Sequence, residues 1–496
     1  MKVKTRTGIV SGKTLENGVE AFLGIPYAKQ PVGDLRWRAP ERLDDSDEEI
    51  ECVEFGHSAR QFIDEVELAS LHEQGEDCLS LNVWVRGHAR KNLPVMVYIH
   101  GGAYFSGGSA DPLYNGSNFA AAKDVVIVSI NYRLNLFGSL LLDCLPGGED
   151  YKDAGYLAIL DQIRALEWVH ENISAFGGDP NCVTLFGESA GSSSQALLSI
   201  LPEANKYFQR AILESGPIQL YKTRERGEYF AREFAEIMGC KTAQELLAKS
   251  ADELIEGMQV WCDRHTYEVS IIFSPVCDGS FLPKKPMKAW AEGAAKDIDI
   301  MIGCTEDEFT YFHFYFDDLP GFWHGQFPIH FDDQIDIDYW EQAYRKAWPE
   351  RDFAENYTNF MNSTGFFVGT DLMAEEQSAF KPVYNYLFRY KSRVEGMGSC
   401  HAIEVPFVFK NLDTASGLMF TGDNPPAHLA DEMNDAWFSF AKTGKPFVEG
   451  KAPWDPYTAE NHIHMVIDEN EWKPVHSLHA KEDSVFRPMY EVLLND

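Results

Sequence analysis

One pentapeptide, Gly187-Glu188-Ser189-Ala190-Gly191, constrains this chain more than any other stretch. It joins an apolar run, Val183-Thr184-Leu185-Phe186, to a small-residue run leading into Ala196-Leu197-Leu198. The pattern reads as strand, sharp turn, helix. Glycines at 187 and 191 keep such a turn uncrowded and leave the serine hydroxyl accessible. A plain Gly/Ser-rich turn is the competing reading, and the rest of the chain must decide between them.

The flanking pattern favours an α/β fold. Pro94 to Ile99 and Val125 to Ile130 are nearly all apolar, as strands buried on both faces are. Leu79–Val85, residues 210–213, 298–303 and 384–390 read as further strands. Leu157, Leu160, Ile163, Leu166 and Val169 form one helical stripe, which Gly177-Gly178-Asp179-Pro180 should end. Residues 223–262 read as amphipathic helix. Alternation of this kind predicts a mostly parallel central sheet covered by helices on both faces. No linker, repeat or low-complexity segment interrupts it, so residues 1–496 are read as a single domain. Gly12-Lys13-Thr14 lacks phosphate-loop spacing and reads as a hairpin turn. The acidic run from Asp44 to Glu51 reads as solvated surface.

Charge narrows the partners. Lys and Arg number 43 against 77 Asp and Glu, a net charge of −34. Such a chain repels nucleic acid and anionic membranes and disfavours anionic substrates. No apolar run reaches the length of a membrane span, and the basic N-terminus leads into no apolar signal region. A cytoplasmic location is expected. Nine cysteines without a C-x-x-C pair read as reduced thiols, not as a disulfide framework or zinc site. The sequons at Asn115, Asn172, Asn356 and Asn362 carry no weight in that setting.

A serine hydroxyl needs a base to take its proton and a third group to orient that base. On a strand-turn-helix elbow the order is serine, acid, histidine, each at a loop leaving a strand. His401, after the strand at 384–390, is so placed. After the strand at 298–303, Glu306, Asp307 and Glu308 compete for the acid, with Glu308 preferred. An oxyanion needs backbone donors. Ala190, after the serine, is one, and the loop His100-Gly101-Gly102-Ala103 supplies the others.

These residues resemble the type-B carboxylesterases, which include cholinesterases and bacterial para-nitrobenzyl esterases. The resemblance rests on Phe186-Gly187-Glu188-Ser189-Ala190-Gly191-Ser192 and on Phe176-Gly177-Gly178-Asp179-Pro180. It extends through Gly24-Ile25-Pro26-Tyr27-Ala28, Glu76-Asp77-Cys78-Leu79-Ser80-Leu81-Asn82, Asp161-Gln162, Asn172-Ile173 and His401-Ala402-Ile403-Glu404-Val405-Pro406-Phe407. It covers essentially the whole chain. It implies an α/β-hydrolase fold with long loop and helical insertions over the active site. It also implies a glutamate as triad acid, after a Gly-x-x-x-Asp-Glu pattern that Gly303 to Glu308 matches. The resemblance thus selects Glu308 and His401, and assigns oxyanion donors to Gly102, Ala103 and Ala190. Glu188 resembles a residue that tunes the field around the histidine, and Ser215 a second-layer serine near the acid.

Three departures stand out. Phe309 occupies a position that is usually glycine, where it would narrow the pocket or shift the acid. Cys78 lacks its usual earlier partner and is expected unpaired. No counterpart of the choline-binding tryptophan is found, since Trp84 reads as core. The expected function is therefore hydrolysis of neutral, partly apolar esters through an acyl-enzyme, with no metal or other cofactor. The partner is a small-molecule ester, with no nucleic acid or membrane, and the sequence leaves the choice between monomer and weak homodimer open. Candidate pocket residues are Ile218, Leu220, Phe309 and Phe312, with the aromatic stretch 309–331 and the loop 60–77 as walls. The alternatives are amide, carbamate or lactone cleavage by the same triad, and a non-catalytic binding protein.

Overall fold

The computed structural model describes residues 1–62, 73–331, 335–354 and 356–495. It divides into two compact units.

The first unit comprises Met1–Leu185, Lys206–Phe208 and Leu220–Lys284. Its main strands are β1 (Lys13–Thr14), β2 (Glu20–Pro26), β3 (Ser80–Val85), β4 (Leu93–Ile99) and β5 (Val126–Ile130), followed by helix α1 (Leu157–Asn172). All residues of β3, β4 and β5 are buried, as their apolar runs require. Trp84 is one of them, which is the core role expected for it. β4 and β5 pair in parallel, while β3 joins β5 and β2 antiparallel, and β1 closes onto β2. Lys13 and Thr14 thus sit in a strand rather than in the turn expected for them.

Burial in this unit is matched by pairing. Arg133 clasps Asp161 through Nη2–Oδ1 at 2.6 Å and Nε–Oδ2 at 2.8 Å, both side chains buried. Lys222 donates to the carbonyls of Ile272 and Ser274, each at 2.6 Å. Burial lowers that ammonium to a pKa of about 7. The stretch 223–262 is helical as expected, in three helices: Arg224–Ile237, Ala243–Leu247 and Ala251–Arg264. Thr242 and Ser250 cap the second and third, and Ser250 forms a reciprocal capping box with Glu253, so each break is written in side-chain hydrogen bonds.

Strand β6 (Gly178–Glu188) starts five residues before the apolar run at 183 that announced it, directly after Gly177, whose φ of 89° ends the preceding turn. The second unit comprises Phe186–Asn205, Gln209–Gln219 and Lys285–Asp496. It opens with the end of β6 and helix α2 (Ala190–Ser199), then β7 (Arg210–Glu214) and β8 (Asp299–Thr305). Helices α3 (Tyr357–Asn362) and α4 (Val368–Ser378) follow, then β9 (Val383–Phe388), β10 (Ile463–Ile467) and β11 (Trp472–His476). Pairing is parallel from β7 through β10, with β11 antiparallel at the edge. Each unit thus adds antiparallel edge strands to parallel ones, and helices flank the sheet.

All nine cysteines are free, Cys78 among them. Among the described residues, no helix is long and apolar enough to cross a membrane. Of the loop expected at 60–77, residues 63–72 lie outside the described residues.

Candidate active site

Ser189 stands between β6 and α2 with φ 57° and ψ −121°, a backbone conformation that a non-glycine residue rarely holds. The neighbours that hold it there come from its own unit. Ser189 N–H donates to the Glu214 carbonyl at 2.9 Å, and Ser193 N–H to the Ser189 carbonyl at 2.9 Å. Gly216 lies so close that a Cβ there would sit 2.1 Å from the Ser189 carbonyl oxygen. Serines suit the first turns of α2 for the same reason, and Ser192 and Ser193 tie their hydroxyls to the carbonyls of Gly216 and Pro217. Ser189 itself keeps partial exposure in this buried surround. As first residue of α2, Ala190 has an N–H without a helical acceptor.

The loops after β8 and β9 supply the other two groups. Glu308 is fully buried; its Oε1 accepts the Thr305 N–H at 2.8 Å, and its Oε2 the His401 Nδ1–H at 2.6 Å. The His401 N–H also donates to the Glu308 carbonyl at 3.2 Å, so side chain and backbone both lock the pair. The rival acids are employed elsewhere: Glu306 and Asp307 both pair with Lys391, half-exposed at the surface. Of the other histidines, His428 meets a surface carbonyl and His324 pairs with Glu341.

The far side of the imidazole holds a finding that spacing alone does not contain. His401 Nε2 lies 2.8 Å from Glu188 Oε1, and no hydrogen bond joins it to Ser189 Oγ. Glu188 Oε1 makes no aligned hydrogen bond, so the contact is an ion pair. A buried carboxylate attracts an imidazolium more strongly than a neutral hydroxyl does. Burial opposes charge on His401, but Glu188 and Glu308 outweigh it and raise its pKa well above the ordinary imidazole value. Burial raises Glu188, with His401 pulling the other way. Two further acids share this interior. Burial lifts Glu214 to about 8 despite the Trp437 Nε1–H it accepts at 2.9 Å. Burial and then Glu214 lift Glu404 well above the carboxylate range, and neither of its oxygens has a partner.

Aromatic rings surround His401. Phe366 and Phe312 lie 5.1 and 5.7 Å from the His401 ring, and Tyr311 lies 6.5 Å away. Phe312 is therefore beside the site. Phe309 turns away: its ring is 3% exposed and fits among Phe312, Trp323 and Phe366 at 5.1–5.3 Å. Apolar burial draws the ring into that cluster, and the Glu308–His401 hydrogen bond beside it stands at 2.6 Å. Of the stretch 309–331, Phe322, Trp323 and Phe327 are also core, whereas Phe314 is exposed. Ile218 is buried, with its N–H on the Met373 sulfur at 3.3 Å. The Ser215 hydroxyl is buried without a partner and makes no hydrogen bond to Glu308; Ser215 meets β8 through its N–H on the Gly303 carbonyl at 2.9 Å.

Leu220, half-exposed, and the loop after β4 belong to the first unit. In that loop Gly102, Ala103 and Tyr104 take φ of 97°, 53° and 56° in succession. Its turn is closed by the N–H groups of Phe105 and Ser106 on the Gly102 carbonyl, at 2.8 and 3.0 Å. The N–H groups of Gly102 and Ala103 have no acceptor among the described residues. Holding two consecutive non-glycine residues at positive φ costs roughly 1–3 kcal/mol each, a strain typical of functional backbone.

Asp371, His464 and His479 bring potential metal ligands together. Their contacts of 2.7 and 2.9 Å are hydrogen-bond lengths, shorter than the roughly 3.3 Å between ligands of a tetrahedral zinc. The group therefore reads as a hydrogen-bonded cluster.

A strained serine after one strand, an acid after a later one and a histidine after the next define a serine hydrolase of the α/β-hydrolase class. The chain belongs to the Carboxylesterase family, whose profile matches residues 1–486. It is 37% identical over 481 residues to a para-nitrobenzyl esterase of Bacillus subtilis, covering 94% of each chain. It is 31% identical to a phenmedipham hydrolase of Pseudarthrobacter oxydans, covering 92% of this chain and 93% of that one. The crystal structure of a Geobacillus stearothermophilus carboxylesterase superposes with a TM-score of 0.84 at 35% identity, over 98% of this chain and 99% of that one. The protein is a carboxylic ester hydrolase.

Proposed function

We propose that this esterase cleaves neutral, partly apolar esters, with Ser189 as nucleophile, His401 as base and Glu308 as orienting acid. The observation that carries the assignment is the buried Glu308–His401 pair at 2.6 Å in the same unit as the strained Ser189 elbow. Ser189 Oγ attacks the ester carbonyl carbon as His401 Nε2 takes its proton. The tetrahedral oxyanion collapses, and the alkoxide leaves with the proton from His401. Water, deprotonated by the same nitrogen, then releases the acid and restores Ser189. Glu308 holds Nδ1–H throughout and stabilises the imidazolium. The Ala190 N–H serves as one oxyanion donor; Gly102 and Ala103 are assigned the same task from their motif and their unoccupied amides.

Glu188 sets a condition on this cycle. His401 must be neutral to accept a proton, and Glu188 favours its charged form. The catalytically ready state is the one in which His401 has lost its proton and Nε2 has left Glu188 for Ser189. The preference for neutral esters rests on the two carboxylates that flank His401, Glu188 and Glu308, and on a net charge of −34. The rings of Phe312 and Phe366 favour an apolar group beside the base. Nine free thiols fit a reducing, cytoplasmic setting.

The test is turnover of a p-nitrobenzyl and a short p-nitrophenyl ester by wild type and Ser189→Ala. The variant should lose on the order of 10⁶-fold in kcat. Wild-type turnover by Ser189→Ala would end the proposal, and a higher kcat/KM on matched amides would replace ester by amide as the substrate.

A further inference from the structure

Between α3 and α4 the chain makes a π-turn, Ser363–Phe367. Such turns are rare, and they loosen the regular helical ladder. Here its groups are taken up from outside the helix. Tyr490 OH donates to the Thr364 carbonyl at 2.7 Å, and Gln219 Nε2 to the Gly365 carbonyl at 3.2 Å. Trp323 Nε1–H meets the Thr364 hydroxyl at 3.2 Å. Three side chains from distant parts of the unit thus hold an otherwise costly turn, which points to a use for it.

Its two ends lie against the loop that carries the acid and against the base. At the start stands Asn362, buried, with both amide atoms engaged. Its Oδ1 accepts the Phe309 N–H at 2.9 Å, and its Nδ2 donates to the Glu306 carbonyl at 3.3 Å. Those peptide groups bracket Glu308, so one amide pins the backbone on both sides of the acid. Four residues on, Phe366 lies against the His401 ring at 5.1 Å. Between them Gly365 makes room for the residue after the acid. A Cβ on Gly365 would come within 2.8 Å of the Phe309 ring. The wide turn lets Asn362 face the acid loop while Phe366 faces the base.

We propose that residues 362–366 are the positioning element of the Glu308–His401 pair and that Asn362 is its positioning residue. The inference rests on the roles given to Glu308 and His401 above. Asn362 acts on the reaction through Glu308 alone: it holds the carboxylate where it meets Nδ1–H. It does not touch the reacting atoms.

A double-mutant cycle tests this. Asn362→Leu, close to isosteric and without either hydrogen bond, should lower kcat on a p-nitrophenyl ester about 10–100-fold with KM within about twofold. Its acid limb should move to lower pH, because a looser Glu308 stabilises the imidazolium less. In a Glu308→Gln background the same substitution should cost less than about threefold, since the group it positions is already disabled. Asn362→Ala serves the same cycle if the leucine variant does not fold. Wild-type kcat in both Asn362 variants, or an equal loss with and without Glu308, would overturn the inference. If Glu308→Gln itself had no effect, the failure would lie with the acid assignment and not with Asn362.

Discussion

Two buried histidine–carboxylate clusters lie in the second unit, built from the same kinds of group. In one, Asp371 sits between His464 Nε2 at 2.7 Å and His479 Nδ1 at 2.9 Å, and Asn385 Nδ2 donates to it at 2.8 Å. In the other, His401 sits between Glu308 at 2.6 Å and Glu188 at 2.8 Å. The first has one acid and two imidazoles, with a ring of His479 stacked on Phe367. The second has one imidazole and two acids, aromatic rings around it, and a serine at φ 57° next to one acid. Burial opposes ionisation of Asp371, but His464 and His479 outweigh it and hold the carboxyl well below its ordinary range. That cluster is settled by its own hydrogen bonds. Around His401 two acids face one imidazole, the Glu188 contact is an ion pair with no aligned hydrogen bond, and a strained nucleophile is adjacent. A histidine–carboxylate contact alone therefore says little about chemistry. What distinguishes a site is a ring nitrogen free to change partners beside a group it can deprotonate.

The comparison breaks or sharpens on paired substitutions. Glu308→Gln should lower kcat by about 10⁴-fold while leaving the fold intact, since a glutamine that keeps the Thr305 N–H bond turns its NH2 to Nδ1, favours the wrong tautomer and carries no charge to balance the imidazolium. Asp371→Asn should do the reverse. It leaves two imidazoles around a neutral amide and should cost roughly 3–5 kcal/mol of stability, with kcat of the folded fraction within about threefold. Urea midpoints and ester turnover measured on both variants would show an exchange of roles if the comparison were wrong. The acid dependence adds a check. A carboxyl depressed by folding stabilises the protein above the unfolded pKa of about 3.9 and loses that effect as pH falls toward its folded value. The gap in Tm between wild type and Asp371→Asn should therefore close only in strong acid.

A smaller effect isolates Glu188. Removing its charge in Glu188→Gln takes away one of the two interactions that favour the imidazolium, so the His401 pKa should fall. The acid limb of the kcat/KM profile should then move to lower pH by about 1–2 units. An unmoved or upward-moving limb would mean that Glu188 does not act on His401.

Much of the fold was readable because its signals are local. All-apolar runs such as Pro94–Ile99 have one comfortable place in a soluble protein, and the stripe from Leu157 to Val169 marks a helix, although Leu160 and Ile163 are only half-buried while Asp161 and Gln162 are buried. The positions of Ser189 and His401 and the acidic loop 306–308 stand out because each follows a strand in a fixed order, whereas the choice of Glu308 within that loop comes from the family pattern Gly303 to Glu308. Other features depend on contacts between distant residues. Asn362 meets Phe309 across 53 positions, and its sequence context resembles a glycosylation site rather than a clamp. The direction of Phe309 is decided by Trp323 and Phe366. The hold of Glu188 on Nε2 depends on how far the β9–His401 loop brings the ring, a distance no spacing encodes. The unpartnered Glu404 was visible only as part of a motif.

The most direct measurement is intact-mass and peptide-map analysis after treatment with a fluorophosphonate. The account predicts one adduct per chain, on Ser189, formed faster as pH rises through the raised His401 pKa and absent from Ser189→Ala. An adduct on another residue, or a folded protein that takes up none while hydrolysing esters, would contradict it.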